Sequence, residues 1–336
     1  MNIGLGAIPM TFSLIDRFMT QGTLSDPKGI PDPTFSLPGT LNWMRALALL
    51  VKNNGIDRAS MKTLCSSVQK GTLTDQAANT SFEQLLMSLH HLASLKAIGT
   101  LPKKMDPARS AIVTWYYGIY HAASAMIASQ DGSFQDNHGE TANSWDRQFN
   151  GRPFVPSPFS YRVTTLVKKD MEAEIAGLRG TNTFNLNIEP MDVNQAFGAC
   201  MSYLQGSANW RREYIEDEVK RRELAKAGLD NFRTKAAQQI RDARLKGKSY
   251  GFVHQAFRYR GKANYREALF ITYGHHVETM LDCFHSDLFV VLEGFLCMAG
   301  SFCARRIGKD LWNGFHDDLT VHTPLLVKPN EIWDKL

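Results

Sequence analysis

Five polar side chains recur at helical spacing within an otherwise apolar stretch, residues 108 to 129, whose sequence is ARSAIVTWYYGIYHAASAMIAS. The steps between them are four, three, four and three, so they form one stripe along an α-helix. The stripe consists of Ser110, Thr114, Tyr117, His121 and Ser124. Its phenol and imidazole groups can exchange protons, or they can join packed helices through hydrogen bonds. We expect the stripe to face the helix that ends at Arg179, or a second copy of the domain.

A second group of residues combines positive charge with aromatic rings. Residues 210 to 267 contain sixteen Lys and Arg but eight Asp and Glu, an excess larger than the +5 of the whole chain. Within them the segment FVHQAFRYRGKANYREA supplies the residues predicted to bind nucleic acid, which are Arg258, Tyr259, Arg260, Lys262, Tyr265 and Arg266. Cationic groups can hold phosphates while aromatic faces stack on unpaired bases. A protein partner and a solvated helix face with ordinary ion pairs are the alternatives for this segment.

A third pattern has the spacing of metal ligands. The segment HHVETMLDCFH places Glu278, Asp282 and His285 at i, i+4 and i+7 on one face of a helix. A di-metal site between helices would need matching Glu-x-x-His pairs on two helices, and the sequence has no such pair. We therefore expect a capped or salt-bridged helix surface here, and we predict no metal and no cofactor. The sequence also lacks the motifs of P-loop NTPases, serine hydrolases and zinc proteases.

The elements that must position these residues are predicted to be helices. Apolar residues recur three and four apart through most of the chain and strand patterns are scarce, so the predicted fold class is all-α. Residues 1–40 hold five prolines and are predicted to form an irregular arm. Helices are predicted near 41–52, 58–69, 81–96, 107–129, 140–148, 161–178, from 192 onward, 229–245, 265–283 and 287–306.

Composition and apolar runs favour a cytoplasmic protein without a membrane span. The five cysteines form no CxxC pair, which suits a reducing compartment. The most apolar run, Leu288 to Ala304, is 17 residues long and contains Glu293. It is shorter than the roughly 20 apolar residues that cross a bilayer, so we expect a buried helix there.

Residues 80 to 222 resemble the HEPN superfamily of small four- or five-helix bundles. The segment WYYGIYHAASAMI is similar to that family's RAYYAxFHAAxAL helix, NHGETANSWDRQF to its tHxGvxxxF segment, and LRGTNTFNL to its LRxxADY turn. The resemblance implies a HEPN-like bundle over residues 80–228, preceded by N-terminal helices at 41–79 and followed by a basic helical region at 229–336. It also implies a prokaryotic RNA-targeting or anti-phage defence system, in which the chain has a protein partner or forms a homodimer.

Many HEPN proteins are ribonucleases that cut RNA without a metal ion, using an arginine and a histidine four to six residues apart. The resemblance implies proton transfer by His121 or His138 and charge stabilisation by Arg179. The pair itself is not preserved, because Thr114 stands at the arginine position of the first motif and Phe184 at the histidine position of the turn. One hypothesis is therefore a protein that binds RNA or single-stranded nucleic acid within an assembly and has lost the catalytic pair. The alternative is a metal-independent endoribonuclease with a displaced Arg/His site.

Overall fold

A computed structural model of the chain describes residues 37–264 and 281–336. Twelve α-helices occupy most of these residues, and an isolated antiparallel bridge between Val163 and Tyr250 is the only extended pairing among them. The helices are α1 (Leu37–Asn53), α2 (Arg58–Leu64), α3 (Asp75–Gly99), α4 (Ala108–Asp131), α5 (His138–Phe149), α6 (Lys168–Arg179), α7 (Val193–Val219), α8 (Lys235–Leu245), α9 (Phe252–Asn264), α10 (Phe284–Ile307), α11 (Lys309–His322) and α12 (Pro329–Ile332). The predicted all-α class is confirmed.

Short polar side chains begin several of these helices. A first-turn amide has no partner inside its helix, and a capping oxygen supplies one. Thr74 caps α3, Asn137 caps α5 and Thr234 caps α8, each by accepting the amide hydrogen three residues on. Asp192 caps α7 in the same way, at the position from which the sequence predicted this helix. Gly228 ends the turns that follow α7 in a left-handed conformation with φ 68°, a backbone angle that suits glycine.

Helices α4 and α10 lie at the centre of the core. α4 packs along α3, α5, α9 and α10, while α10 also packs on α1, α2 and α3. The two central helices approach closely at Gly118, where an added Cβ would lie 2.5 Å from a methyl carbon of Leu292. α10 is long and apolar enough to cross a membrane by length and composition, but most of its apolar window is buried inside the protein.

The predicted helices differ from the structure in two places, and the division predicted at 228 stays a prediction. The described residues on both sides of 228 contribute to one hydrophobic core. Residues 161–167 are not helical, because Val163 bonds to the Tyr250 backbone instead, and α6 begins at Lys168. The sequence analysis missed α9 as a helix. The predicted helix 265–283 lies outside the described residues except for Leu281 to Cys283, which form a turn.

The predicted arm also ends earlier than expected. Its residues 1–36 lie outside the described part of the chain, whereas α1 already begins at Leu37. Thr40 and Asn42 of α1 are buried, and Asn42 donates a side-chain hydrogen bond to the carbonyl oxygen of Leu186 at 2.7 Å. The first described turn is thus held against the core rather than lying over its surface.

Candidate functional site

Helices α3, α4, α5 and α9 bring seven polar and aromatic side chains to one place. We call this group the His–Tyr cluster, and it consists of His91, Tyr116, Tyr117, Tyr120, His121, His138 and Arg260. Tyr116 and Tyr120 are buried, whereas the other five are half-buried and border solvent. Part of the cluster is therefore enclosed by the protein, and part is accessible to solvent.

Gln84 orients the ring of His121. The His121 Nδ1 lies 2.7 Å from Gln84 Oε1, and because an amide oxygen only accepts hydrogen bonds, Nδ1 is the donor. The lone pair of the neutral ring is then on Nε2, which has no hydrogen-bond partner among the described residues. Burial, together with His91 and His138 nearby, lowers the pKa of His121 to about 4. His121 is therefore a neutral imidazole at pH 7, with its accepting nitrogen unoccupied.

His91 of α3 is the second imidazole of the cluster. Its ring stacks on that of His121, with centroids 5.5 Å apart and planes 12° from parallel, and it also contacts Tyr117 at 6.0 Å. Burial and the neighbouring His90 lower the pKa of His91 to about 4. Both stacked rings are thus neutral at pH 7, so neither adds positive charge to the cluster.

Arg260 supplies the positive charge of the cluster. Its guanidinium carbon lies 5.3 Å from the ring centre of Tyr116 and 5.1 Å from that of Phe257. The Phe257 ring in turn stacks on His138 at 5.4 Å. Burial and the charge of Arg260 lower the pKa of His138. No carboxylate among the described residues pairs with Arg260, so its charge is available to a bound anion.

The start of α5 adds to this positive potential. His138 is the first residue of α5, and first-turn amides carry partial positive charge because they lack partners within the helix. Asn137 takes the amide hydrogen of Glu140, at 2.8 Å. The first turn of α5 therefore adds positive potential beside His138.

Three buried polar atoms of the cluster have no hydrogen-bond partner among the described residues. They are the Tyr116 hydroxyl, Nδ1 of His138 and Nε of Arg260. Buried polar groups are otherwise nearly always paired. These atoms are enclosed by the protein, so a ligand on the accessible side of the cluster does not reach them directly. The cluster thus holds a cation, Arg260, near a neutral imidazole.

The polar stripe of α4 faces α3, which corrects the prediction that it faces the helix ending at Arg179. His121 bonds to Gln84 of α3, and the Ser88 hydroxyl donates to the backbone oxygen of Gly118 at 2.8 Å. The stripe residues differ in exposure: Ser110 is exposed, Thr114, Tyr117 and His121 are half-buried, and Ser124 is buried. The four-three spacing correctly identified one face of the helix, but the partner of that face is the preceding helix in the chain.

Arg179 does not join the His–Tyr cluster. Its Nε donates to the backbone oxygen of Asn182 and its Nη2 to that of Phe184, so the guanidinium closes its own loop after α6. His121 and His138 do share one site, with Tyr117 and Tyr120 in contact with both rings. The predicted grouping is therefore correct for the two histidines and wrong for Arg179.

The residues predicted to bind nucleic acid occupy different environments. Tyr259 is 0% exposed and donates its hydroxyl hydrogen to the Thr40 oxygen at 3.0 Å, so its ring is a core residue and cannot stack on a base. Lys262 is also buried, against the Tyr203 ring. Both predictions are wrong because α9 turns these side chains inward. The other four residues are Arg260 in the His–Tyr cluster, Arg258 against the Trp210 ring, and Tyr265 and Arg266, which lie outside the described residues.

Several other cations of the basic stretch are paired with carboxylates. The ion pairs are Arg212 with Glu213 and Glu216, Lys220 with Asp217, Arg222 with Glu218, Arg241 with Asp242 and Arg244 with Glu223. Most of these carboxylates are partly exposed, as expected for a solvated helix face. For these residues the structure favours the ion-paired alternative over nucleic-acid binding.

The three residues with metal-ligand spacing fall at the edge of the described chain. Glu278 lies outside it, Asp282 is in the turn before α10, and His285 is buried in α10. Burial and the charge of Lys104 lower the pKa of His285 to about 4. Within residues 37–264 and 281–336, no three His, Cys, Asp or Glu side chains lie close enough to hold a metal ion.

The sequence analysis missed His91, Gln84, Tyr120 and Phe257. The chain does carry a signal for the first two, because helices joined by a short connection usually pack antiparallel. Folding residues 75–131 about the connection at 100–107 brings position 91 near position 117. The contacts of Phe257 depend on how α9 docks on α4 and α5, which the sequence pattern did not indicate.

The resemblance to the HEPN superfamily depends on the three motifs in residues 108–186 and on their order along the chain. The all-α class agrees with it, but many unrelated proteins share that class. Membership of the superfamily therefore stays a prediction. Comparison of the chain with models of protein families, with curated proteins and with solved structures gives no significant match.

Proposed function

We propose that the protein binds RNA or single-stranded nucleic acid and cleaves RNA without a metal ion at the His–Tyr cluster. The observation that supports this proposal is the meeting of His121, His138 and Arg260, from three different helices, at one half-buried site. Arg260 takes the role that the sequence hypothesis gave to Arg179. The proposal is the displaced Arg/His alternative, with its cation reassigned.

In the proposal, His121 acts as the base. In the proposed reaction, its Nε2 lone pair takes the proton of a ribose 2′-hydroxyl, and the hydroxyl oxygen bonds to the adjacent phosphorus. The bond from that phosphorus to the 5′ oxygen of the next nucleotide breaks, and the leaving oxygen takes a proton from water. The products carry a 2′,3′-cyclic phosphate and a 5′-hydroxyl. Gln84 holds the His121 ring in the tautomer that this step requires.

In the proposal, Arg260 and the start of α5 bind the phosphate. Negative charge grows on the phosphate oxygens as the 2′ oxygen attacks, and a positioned guanidinium stabilises that charge. Arg260 has no described carboxylate partner to displace before it binds. The neutral state of His91 and His121 leaves Arg260 and the α5 terminus as the source of positive potential in the cluster.

A second candidate is a nucleic-acid-binding and assembly protein that does not cleave. The low pKa of His121 favours it, because an imidazole with a pKa of about 4 is a weak base at pH 7. In this candidate the cluster binds phosphate and the chain works with a protein partner or as a homodimer. Both candidates share the same proposed setting. The prokaryotic defence system is implied by the resemblance, and the cytoplasmic location by the composition.

The test is cleavage of end-labelled tRNA and total RNA in EDTA. His121→Ala and Arg260→Ala should each lower the cleavage rate about 100-fold or more, because they remove the base and the phosphate cation. Arg147→Ala is the matched control, since Arg147 is an exposed arginine of α5 whose guanidinium bonds to Ser144. Arg179→Ala tests the earlier assignment and should retain cleavage.

The outcomes separate the two candidates. Cleavage in EDTA that depends on His121 and Arg260 supports the ribonuclease. RNA binding that Arg260→Ala weakens, without cleavage by the wild-type protein, supports the binding candidate and overturns the ribonuclease. A wild-type protein that neither binds nor cleaves RNA overturns both.

A further inference from the structure

Two large aromatic side chains stand exposed on α7, near α9. Trp210 is 40% exposed and Tyr214 is 46% exposed. They are four residues apart on one face of the helix, and their ring centres lie 6.2 Å apart with planes 30° from parallel. Tryptophan and tyrosine at this exposure leave ring surface free for a partner that stacks on it.

Guanidinium groups flank both rings. The Arg258 carbon lies 4.4 Å from the Trp210 ring centre, and the Arg211 carbon lies 5.3 Å from that of Tyr214. Because the rings of Trp210 and Tyr214 contact each other, the two guanidinium groups lie close to the same pair of rings. The two rings and the two guanidinium groups thus form one surface, which we call the aromatic platform.

Carboxylates near the platform are held by other cations. Glu213 pairs with Arg212 at 3.2 Å, and Asp217 pairs with Lys220 at 3.3 Å. The charge of Arg211 is therefore not balanced by these two neighbours. A ligand that offers flat rings and negative charge together matches this surface better than an apolar one does.

We propose that the aromatic platform binds single-stranded nucleic acid by stacking unpaired bases on Trp210 and Tyr214. Arg211 and Arg258 would contact the phosphates on either side of those bases. This inference rests on the proposed function, because it names the unpaired strand as the form of RNA that reaches the His–Tyr cluster. α9 links the two sites, since Arg258 lies at the platform and Arg260, two residues on, lies in the cluster.

Unpaired strands fit the platform better than duplexes do. Bases inside a duplex are stacked on each other, and their faces are not available to protein side chains. Every unpaired base has a free face, so the platform needs no particular sequence. The sequence analysis predicted base stacking on Tyr259 and Tyr265. In the proposal, the exposed rings of α7 have that role instead.

The test compares a labelled, unstructured RNA of about a dozen nucleotides with its blunt duplex, by fluorescence anisotropy. His121→Ala serves as the background, with EDTA present, so that the RNA stays intact. Trp210→Ala should weaken single-strand binding about 5- to 150-fold, since stacking contributes roughly 1–3 kcal/mol per base. The duplex should be affected far less. Trp210→Phe keeps an aromatic face and should restore most of the affinity.

Leu311→Ala is the control for loss of an exposed apolar side chain, because Leu311 is 56% exposed on α11. Single-strand affinity that is unchanged in Trp210→Ala and Tyr214→Ala overturns the platform, while cleavage that depends on Arg260 would leave the proposed function standing. Conversely, affinity lost in Trp210→Ala with no cleavage and no effect of Arg260→Ala overturns the proposed function and supports the platform. An equal loss of duplex affinity in Trp210→Ala overturns the preference for unpaired strands.

Discussion

Two aromatic clusters of this protein use the same pair of helices. Trp115 of α4 and Tyr259 of α9 belong to a core cluster with Trp43 and Tyr203. The next residue on each helix belongs to the His–Tyr cluster: Tyr116 on α4 and Arg260 on α9. On each of the two helices, consecutive residues therefore belong to different clusters, the first to the core cluster and the second to the His–Tyr cluster.

The two clusters differ in how fully their members are enclosed and in whether they contain a charged group. In the core cluster the rings of Trp43 and Tyr203 stack at 4.0 Å, and the Tyr259 hydroxyl is bonded to the Thr40 oxygen. In the His–Tyr cluster the imidazoles are half-buried and Arg260 lacks a described carboxylate partner. Tight packing stabilises a fold, whereas accessible polar groups can act on a ligand. The comparison predicts that neighbouring substitutions will have opposite consequences.

The largest contrast is expected between Tyr259→Ala and Arg260→Ala. Removing the buried Tyr259 ring leaves a cavity and should lower the free energy of unfolding by about 3–5 kcal/mol. Removing Arg260 should lower it by about 1 kcal/mol, through the lost contacts with Tyr116 and Phe257, while RNA cleavage or binding is lost. Urea unfolding and the RNA assays measure the two effects.

Tyr259→Phe keeps the contrast measurable if Tyr259→Ala does not fold. It removes the hydroxyl and its bond to Thr40, for an expected loss of about 1 kcal/mol, and should leave RNA cleavage unchanged. A Tyr259→Phe protein that is as stable as wild type but inactive on RNA would contradict the division between the two clusters.

The sequence predicted the helices well where the signal is local. The extent of α4 follows from apolar spacing, the start of α7 from its cap Asp192, and the break from Gly228, and each of these signals acts over a few positions. The prediction was wrong for α9, which the sequence analysis did not identify as a helix. Its buried residues Phe252, Ala256, Tyr259 and Ala263 follow helical spacing, so the sequence did carry the signal that Tyr259 is a core residue. Because the segment is rich in basic residues, Tyr259 was instead predicted to bind nucleic acid.

The candidate site was predictable only in part because its members come from four helices. His121 and His138 were named together, but Arg260 was assigned to a separate binding segment. Nothing local in the sequence links Arg260 to His138, since the contact depends on the docking of α9 against α4 and α5. The prediction for Arg179 was wrong for the opposite reason. Its guanidinium bonds to carbonyl groups of its own loop, and sequence patterns do not reveal such a local bond.

Both clusters depend on the position of α4, and Gly118 tests how tightly that position is set. A Cβ at residue 118 would overlap the side chain of Leu292, so Gly118→Ala should lower the free energy of unfolding by about 1–3 kcal/mol. Gly177→Ala is the matched control, because nothing lies within 4 Å of an added Cβ there. In a helix that change should be neutral or stabilising by up to about 1 kcal/mol. Equal effects of the two changes in urea unfolding would show that α4 and α10 can separate freely.

Acid should destabilise the protein through the His–Tyr cluster. The folded-state pKa values of His91 and His121 are about 4, below the ordinary 6.5, so the unfolded chain binds more protons between these values. Stability is then fully present above pH 6.5 and falls as the pH drops toward 4. Each imidazole should contribute about 1–2 kcal/mol of this loss, after allowance for its partial exposure. The measurement is urea unfolding at several pH values.

His91→Gln should flatten the dependence of stability on pH between 4 and 6.5, because the variant has one fewer group with a lowered pKa. His322→Gln, at an exposed histidine of α11, is the control for the loss of an imidazole. The core cluster has no histidine, so Tyr259→Phe should leave the shape of the pH profile unchanged. A His91→Gln profile that matches wild type would mean that His91 is not enclosed by the cluster.

The smallest expected effect probes His121 itself, through its partner on α3. Gln84→Glu would place a carboxylate beside the Nδ1–H of His121 and raise the pKa of the imidazole by about one pH unit. A base works in its unprotonated form, so RNA cleavage fails as the pH falls through that pKa. The acid limb of the pH–rate profile should therefore move upward by about one unit in Gln84→Glu. Gln76→Glu makes the same change at an exposed position of α3 and should leave the limb in place. If both variants keep the wild-type limb, His121 does not set the acid dependence, and the base of the reaction must be sought among the other imidazoles of the cluster.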